Sequence, residues 1–306
     1  MSTGYIIDCD TGRDDALALW LAQRRLDLAG VVASYGNVSQ PQVHLNTAAI
    51  LAYSGHRVPV LMRGADGPDC HHPLYERIVL PRQRNSGNGL CNLEFSPPAA
   101  MPEDEDLLHG LQRLVQDRGR LHYLITGPAT RFARLCRELG ESVHDYVAGV
   151  TMMGGKFALW AEQPGPDFNI AADPFAIRDI LASGLPVCFV PMDATWPIVM
   201  SLTEIEALNA GDDTARAARA LMIAHCRHFA PEPVFRFHDP SLIFALDDAA
   251  YYARMTLGID CDPESTDFGR LFEDEDKGMP AYIYRPDETR REAILEAILA
   301  HLGLSR

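Results

Sequence analysis

Lysine is almost absent from this chain. Only Lys156 and Lys277 occur among 306 residues, and arginine supplies the remaining positive charge, which 42 acidic side chains outweigh. The resulting net charge of −15 opposes contact with a phosphate backbone, so nucleic acid is not an expected partner. Cysteine is sparse and scattered. The seven thiols (residues 9, 70, 91, 136, 188, 226 and 261) include no CxxC pair. Their odd number and wide spacing argue against a disulfide framework or a zinc ribbon and suit a reduced, cytoplasmic setting. No run approaches the roughly 18 apolar residues of a membrane span, so no membrane partner is expected. The opening "MSTGYIID" lacks both the basic and the long apolar region of a signal peptide.

What is present describes an ordinary globular protein. Hydrophobic residues make up 47 % and charged residues 23 % of a chain long enough for a substantial core. Apolar runs alternate with helical patterns. "YIID", "LAGVVASYG", "VPVLM", "RLHYLIT", "VAGVTMM" and "LPVCFVPM" read as strands. Helices are expected near residues 14–25 and 40–54, and over 103–117, 129–139, 173–182, 212–228 and 287–301. Such alternation predicts an α/β fold: a mostly parallel, Rossmann-like central sheet with helices on both faces, built as one domain over residues 1–306. Ligands of such sheets bind beyond the carboxyl ends of the strands. Two long connections interrupt the rhythm, residues 63–102 and 154–168, and long loops of this kind are often functional.

The stretch "IIDCDTGRDDALAL" sets Asp8, Asp10, Asp14 and Asp15 around a Thr-Gly turn, with Gly12 free to take positive φ. Strand-end and helix-start carboxylates are thereby folded toward one another, and hard oxygen donors favour Ca²⁺ or Mg²⁺. A simpler reading is that Asp14 and Asp15 complement the helix dipole and Asp8 is a buried cap. "DCDTG" also resembles the DxDxT opening of the haloacid-dehalogenase-type, Mg²⁺-dependent phosphatases. There Asp8 would be the nucleophile, "LDDAA" the late acidic pair and Lys156 the lysine.

Further motifs choose between these. "LITGPAT", "VTMMGGKF", "PDFNIAADPF" and "VFRFHDPSLIF" follow the opening in order. Together they resemble the calcium-dependent, inosine–uridine-preferring nucleoside hydrolases, from Ile6 to about Leu246. That resemblance implies a nucleoside N-ribohydrolase of purine or pyrimidine salvage, a homodimer or homotetramer, that releases free base and ribose. It implies one Ca²⁺ held by Asp10, Asp15, the Thr126 carbonyl and Asp239. It further implies that Asp10 is the general base that deprotonates a Ca²⁺-activated water. Asp14, Asn37, Asp167, Asn169 and Asp239 would contact the ribose. His238 would assist the departing base, with a pKa near 6.5 when unperturbed.

Two departures from the family pattern stand out. Asn85 occupies the place of a usual histidine in "NSGNGL", and Asp167 replaces a longer Glu beside the sugar 5′-hydroxyl. They motivate a third reading, a weakly active relative that binds a ribosyl ligand. The pair His225 and Phe229 reads first as ordinary helix surface, His71 and His72 as a solvated loop, and Trp160 and Trp196 as packing residues.

Overall fold

The computed structural model describes residues 3–98, 105–157, 166–228 and 233–306. Its frame follows from six apolar runs. β1 (Gly4–Cys9), β2 (Asp27–Ala33), β3 (Val60–Arg63), β4 (Leu121–Ile125), β5 (Val147–Met153) and β6 (Val187–Val190) all lie in one sheet and pair in parallel. Side chains alternate between the faces of a strand. Ile7, Val31 and Leu61 accordingly join a core cluster with α1 (Arg13–Arg25) and α2 (Gln40–Tyr53), whereas Ile6, Val32 and Met62 join one with the helices Leu107–Arg118 and Thr130–Leu139. Burial on both faces explains why these strands lack an inside/outside alternation in sequence.

The strand order β3-β2-β1-β4-β5-β6 reverses direction between β1 and β4. That switch point opens a crevice beyond the carboxyl ends of the two strands. Asp10 follows β1 there and Thr126 follows β4.

Beyond β6 the sheet continues through Met279–Tyr284, Tyr252–Ile259 and Leu271–Glu273. The last two join antiparallel, and all three were absent from the expected strands. The long Tyr252–Ile259 strand keeps most side chains half-buried, so no clear period marks it in sequence. The connection after β3 was also expected to be irregular, yet it holds a π-helical turn at Tyr75–Val79 and the helix α3 (Leu80–Asn85). His72 within it is buried, with Nε2 3.1 Å from the Ala172 carbonyl and its ring against Phe268, so only His71 is solvated. Among the described residues, no helix is long and apolar enough to cross a membrane.

Two glycines let neighbouring loops close on the β1 end. A Cβ on Gly36 would lie 2.0 Å from Asp10 Oδ2, and one on Gly127 would lie 2.9 Å from the Asp10 nitrogen. Gly12, expected to exploit positive φ, has φ −102°. Its lack of a side chain serves contact instead, since a Cβ would meet Asn37 Nδ2 at 2.5 Å. Gly36→Ala should therefore displace Asp10 and lower Tm by about 2–8 °C in a calorimetric scan. An unchanged Tm would show that the loop after β2 is looser than this packing.

Candidate active site

The turn after β1 builds the acidic floor. α1 opens with Gly12 as its N-cap, whose N–H donates to Asp15 Oδ2 at 2.9 Å. Thr126 Oγ1 donates to Asp15 Oδ1 at 2.8 Å, tying the β1 and β4 ends together. Asp10 Oδ2 accepts the Asn37 N–H at 2.6 Å. Asp239 arrives from a distant segment, the helix His238–Ala245, with Pro240 in its first turn. Asp14, Asp15 and Asp239 each bring a carboxylate oxygen within 4.8 Å of the others. Asp14, which the family resemblance assigned to the ribose, thus stands in this tight group. Asp10 adjoins it.

Asp8 is different. It is wholly buried beneath the floor and accepts Ser34 Oγ at 2.6 Å and Tyr123 Oη at 3.0 Å. Burial lifts its pKa to about 7. A side chain so enclosed cannot attack a phosphate. "LDDAA" is also engaged elsewhere, with Asp247 paired to Arg25 and Asp248 to Arg290. Both features remove support from the phosphatase reading.

Crowding leaves its mark on the remaining acids. Burial and then the Asp15 charge push Asp10 well above the usual carboxylate range, and the charge of Arg82 and the Asn37 N–H only partly offset them. Burial and the charges of Asp14, Asp15 and Asp10 do the same to Asp239. Asp15 rises to about 6 through burial and Asp14. For Asp14, burial is outweighed by His238, Arg13 and Arg82, and its pKa falls. Converging oxygens of like charge, with carbonyl and amide oxygens beside them, suit a hard cation. Asn37 Oδ1 strengthens the fit to a ligand, because it is a buried acceptor with no partner here.

A cavity of about 770 Å³ stands over this floor. It gathers Asp10, Asp14, Asn37, Thr126, Asp167, Asn169, His238 and Asp239, every expected site residue except Asp15. Asp15 lies just beneath, 1 % exposed. Asn169 Nδ2 donates to the carbonyls of Thr126 (2.7 Å) and Met153 (3.0 Å), which leaves Oδ1 as the group it can offer a hydroxyl. Asp167 caps the helix Phe168–Ala172: its oxygens accept the N–H groups of Gly155, Asn169 and Ile170. His238 Nδ1 lies 2.7 Å from Thr195 Oγ1, and burial lowers its pKa to about 4, despite the nearby Asp14 charge. The imidazole is therefore neutral near pH 7, not the readily protonated group expected from an unperturbed pKa.

The sequence reading missed one wall. His225 lines the cavity edge-on to Phe235 (centroids 5.0 Å apart) and is not ordinary helix surface. Trp196 also lines it, 47 % exposed and beneath the Arg236 guanidinium, so packing is not its role. Arg13 and Arg82, both unforeseen, line it as well, as does Lys156, the lysine of the phosphatase reading. Arg82 sits one helical turn before Asn85, which is exposed and does not line the cavity. The departure from the family pattern at Asn85 falls in that same turn. Phe229 and Trp160 lie outside the described residues.

Comparison with known proteins agrees with this geometry. The chain is 27 % identical over 216 residues to the pyrimidine-specific ribonucleoside hydrolase RihA of Salmonella enteritidis PT4, covering 69 % of this chain and 67 % of that one. It is 26 % identical over 267 residues to the protein of the same name from Photobacterium profundum, covering 85 % and 84 %. The purine-preferring ribonucleoside hydrolase from Gardnerella vaginalis superposes with a TM-score of 0.80 at 21 % identity, over 98 % of this chain and 99 % of that one, a likeness that speaks to the fold. The family model described as "Inosine-uridine preferring nucleoside hydrolase" matches residues 5–295, nearly the whole length, and the chain belongs to that family of enzymes.

Proposed function

We propose that this protein hydrolyses the N-glycosidic bond of ribonucleosides with Asp10 as general base. The observation that carries the reading is the convergence of Asp10, Asp14, Asp15 and Asp239 at the switch point, beneath a cavity of nucleoside size. Asp15, Asp239, Asp10 and the Thr126 carbonyl would hold one divalent cation, for which Ca²⁺ suits the all-oxygen donor set. When bound, such an ion acidifies and orients a water molecule.

The protein's own groups supply the rest. Asp10, fixed by the Asn37 N–H, takes the proton of the attacking water. Asp14, Asn37 Oδ1 and Asn169 Oδ1 accept hydrogen bonds from the ribose hydroxyls and hold the sugar in place. Carboxylates around the ring favour the positive charge that develops as the bond breaks. Direct attack by water inverts the anomeric carbon, because no carboxylate is needed as a covalent nucleophile. Asp167 acts on the 5′ side chiefly by joining the Gly155 N–H to the first turn of the helix Phe168–Ala172. His238, neutral near pH 7, donates a hydrogen bond to the departing base through an uncharged ring N–H. Seven unpaired cysteines support a cytoplasmic setting.

Three outcomes are expected. Asp10→Asn keeps size and removes the proton acceptor, so kcat should fall by roughly 10²–10⁴ at saturating Ca²⁺; near-normal turnover would remove Asp10 as the base. His238→Ala should slow nucleosides far more than p-nitrophenyl riboside, whose leaving group departs without help. Equal losses in kcat/KM would make His238 a positioning residue for Asp239. The third outcome concerns pH. The raised carboxylates retain protons that the unfolded chain releases. The buried histidines, lowered to about 4, add stability with rising pH only up to about pH 6.5; above that, stability of the chelator-treated protein should fall as pH rises through the range of Asp8 (about 7). Cation and protons compete for the same oxygens. The Tm gain on adding Ca²⁺ should be slight at pH 5 and reach about 4 °C at pH 8 and a hundredfold excess over Kd. A gain independent of pH would argue against carboxylate ligation.

A further inference from the structure

The hydrolase reading accounts for the acidic floor and leaves the cations of the cavity unused. Arg13, Arg82, Arg236 and Lys156 all line it, in a chain whose net charge is −15. Elsewhere arginines typically end on carboxylates: Arg24 meets Asp212, Arg113 meets Glu105, and Arg137 bridges Asp69 and Asp179. Arg82 does not. Among the described residues no carboxylate oxygen lies within ion-pair distance of it, and its guanidinium lies over the Phe168 ring, 4.2 Å from the centroid. Arg236 likewise lies over Trp196 at 4.0 Å. For Arg82, stacking occupies the faces of the guanidinium and leaves its N–H edges for oxygen acceptors.

The nearest negative charges do not solve the problem for Arg82. It feels Asp10, Asp14 and Asp15, but those carboxylates are assigned to the cation and the ribose. Arg82 also feels the like charge of Arg13. With no carboxylate at ion-pair distance, the Arg82 N–H edges would find only neutral acceptors on a neutral nucleoside. An oxyanion on the substrate would supply a counter-charge, and a planar guanidinium binds carboxylate and phosphate through paired hydrogen bonds.

We propose that the preferred substrate of this site carries an oxyanion, which Arg82 binds. The proposal rests on the hydrolase reading above. The oxyanion is a carboxylate on the base or a phosphate on the ribose 5′-carbon, and the two sources place it at opposite ends of the nucleoside.

The test compares kcat/KM of the full-length, Ca²⁺-loaded protein for uridine, orotidine (uridine bearing a 6-carboxylate) and uridine 5′-monophosphate at one ionic strength. p-Nitrophenyl riboside serves as a reporter of glycosidic cleavage. At least one anionic probe should exceed uridine by about tenfold or more, and which one does so identifies the source of the charge. Arg82→Gln should lower the anionic-to-neutral ratio by about ten- to a hundredfold, and Arg82→Lys should recover part of it. Uridine equal or superior to both anions overturns the proposal, as does an equal loss on all substrates in Arg82→Gln. Cleavage of p-nitrophenyl riboside and uridine without anion preference sinks the proposal alone. If no probe is cleaved, the hydrolase reading fails, and binding still decides the proposal. A Tm rise with orotate or inorganic phosphate that Arg82→Gln abolishes supports it; no rise in the wild type overturns it.

Discussion

Mutual repulsion among buried carboxylates is the constraint around which this molecule is arranged. Asp10, Asp14, Asp15 and Asp239 come from a strand end, the first turn of α1 and a helix more than 200 residues later in sequence. Water would screen them if they were exposed, but Asp10, Asp15 and Asp239 are nearly inaccessible. The fold opposes the repulsion with donors: the Gly12 and Asn37 backbone N–H groups and the Thr126 hydroxyl. These donors do not neutralise the cluster, as the raised pKa values of Asp10, Asp15 and Asp239 show. A preorganised cluster that remains short of positive charge is well suited to a cation.

Holding such a cluster requires a rigid support, and the sheet provides one. Asp8 lies one layer below, with Ser34 from the β2 end and Tyr123 from β4 donating to its two oxygens. Three strand ends are thereby joined through a single carboxyl. Gly36 and Gly127 then permit the loops after β2 and β4 to approach Asp10 more closely than any side chain would allow. Polar pinning from beneath and close backbone contact from the sides act on the same turn, so strand order and site geometry are one feature of the fold.

The cavity joins two regions of different chemistry. Its floor is carboxylate and amide oxygen. Its walls carry Phe168, Trp196 and Phe235 with guanidiniums stacked on the first two. Oxygen-rich floors suit sugars and cations, and aromatic walls suit planar groups. His238 stands where the regions meet, its ring between Trp196 and the charge of Asp14. Burial keeps that ring neutral, so positive charge on the walls belongs to the arginines and to Lys156.

Local sequence by itself determined the six parallel strands, the helices that cover them and the acidic turn, because each of these depends on the order of apolar, polar and turn-forming residues within a short span. Motif order also identified Asn37, Thr126, Asn169, His238 and Asp239, and the structure brings them to one cavity. Tertiary structure alone decided what each acid became. Asp8 and Asp10 are two residues apart, yet one is locked under the floor and the other faces the cavity, since strand side chains alternate in direction and their neighbours come from β2 and β4. It also decided the neutral state of His238, the stacked setting of Arg82 and the inward placement of His225 and Trp196. Each rests on burial and on contacts between segments distant in the chain, and neither is written in the residues that adjoin them.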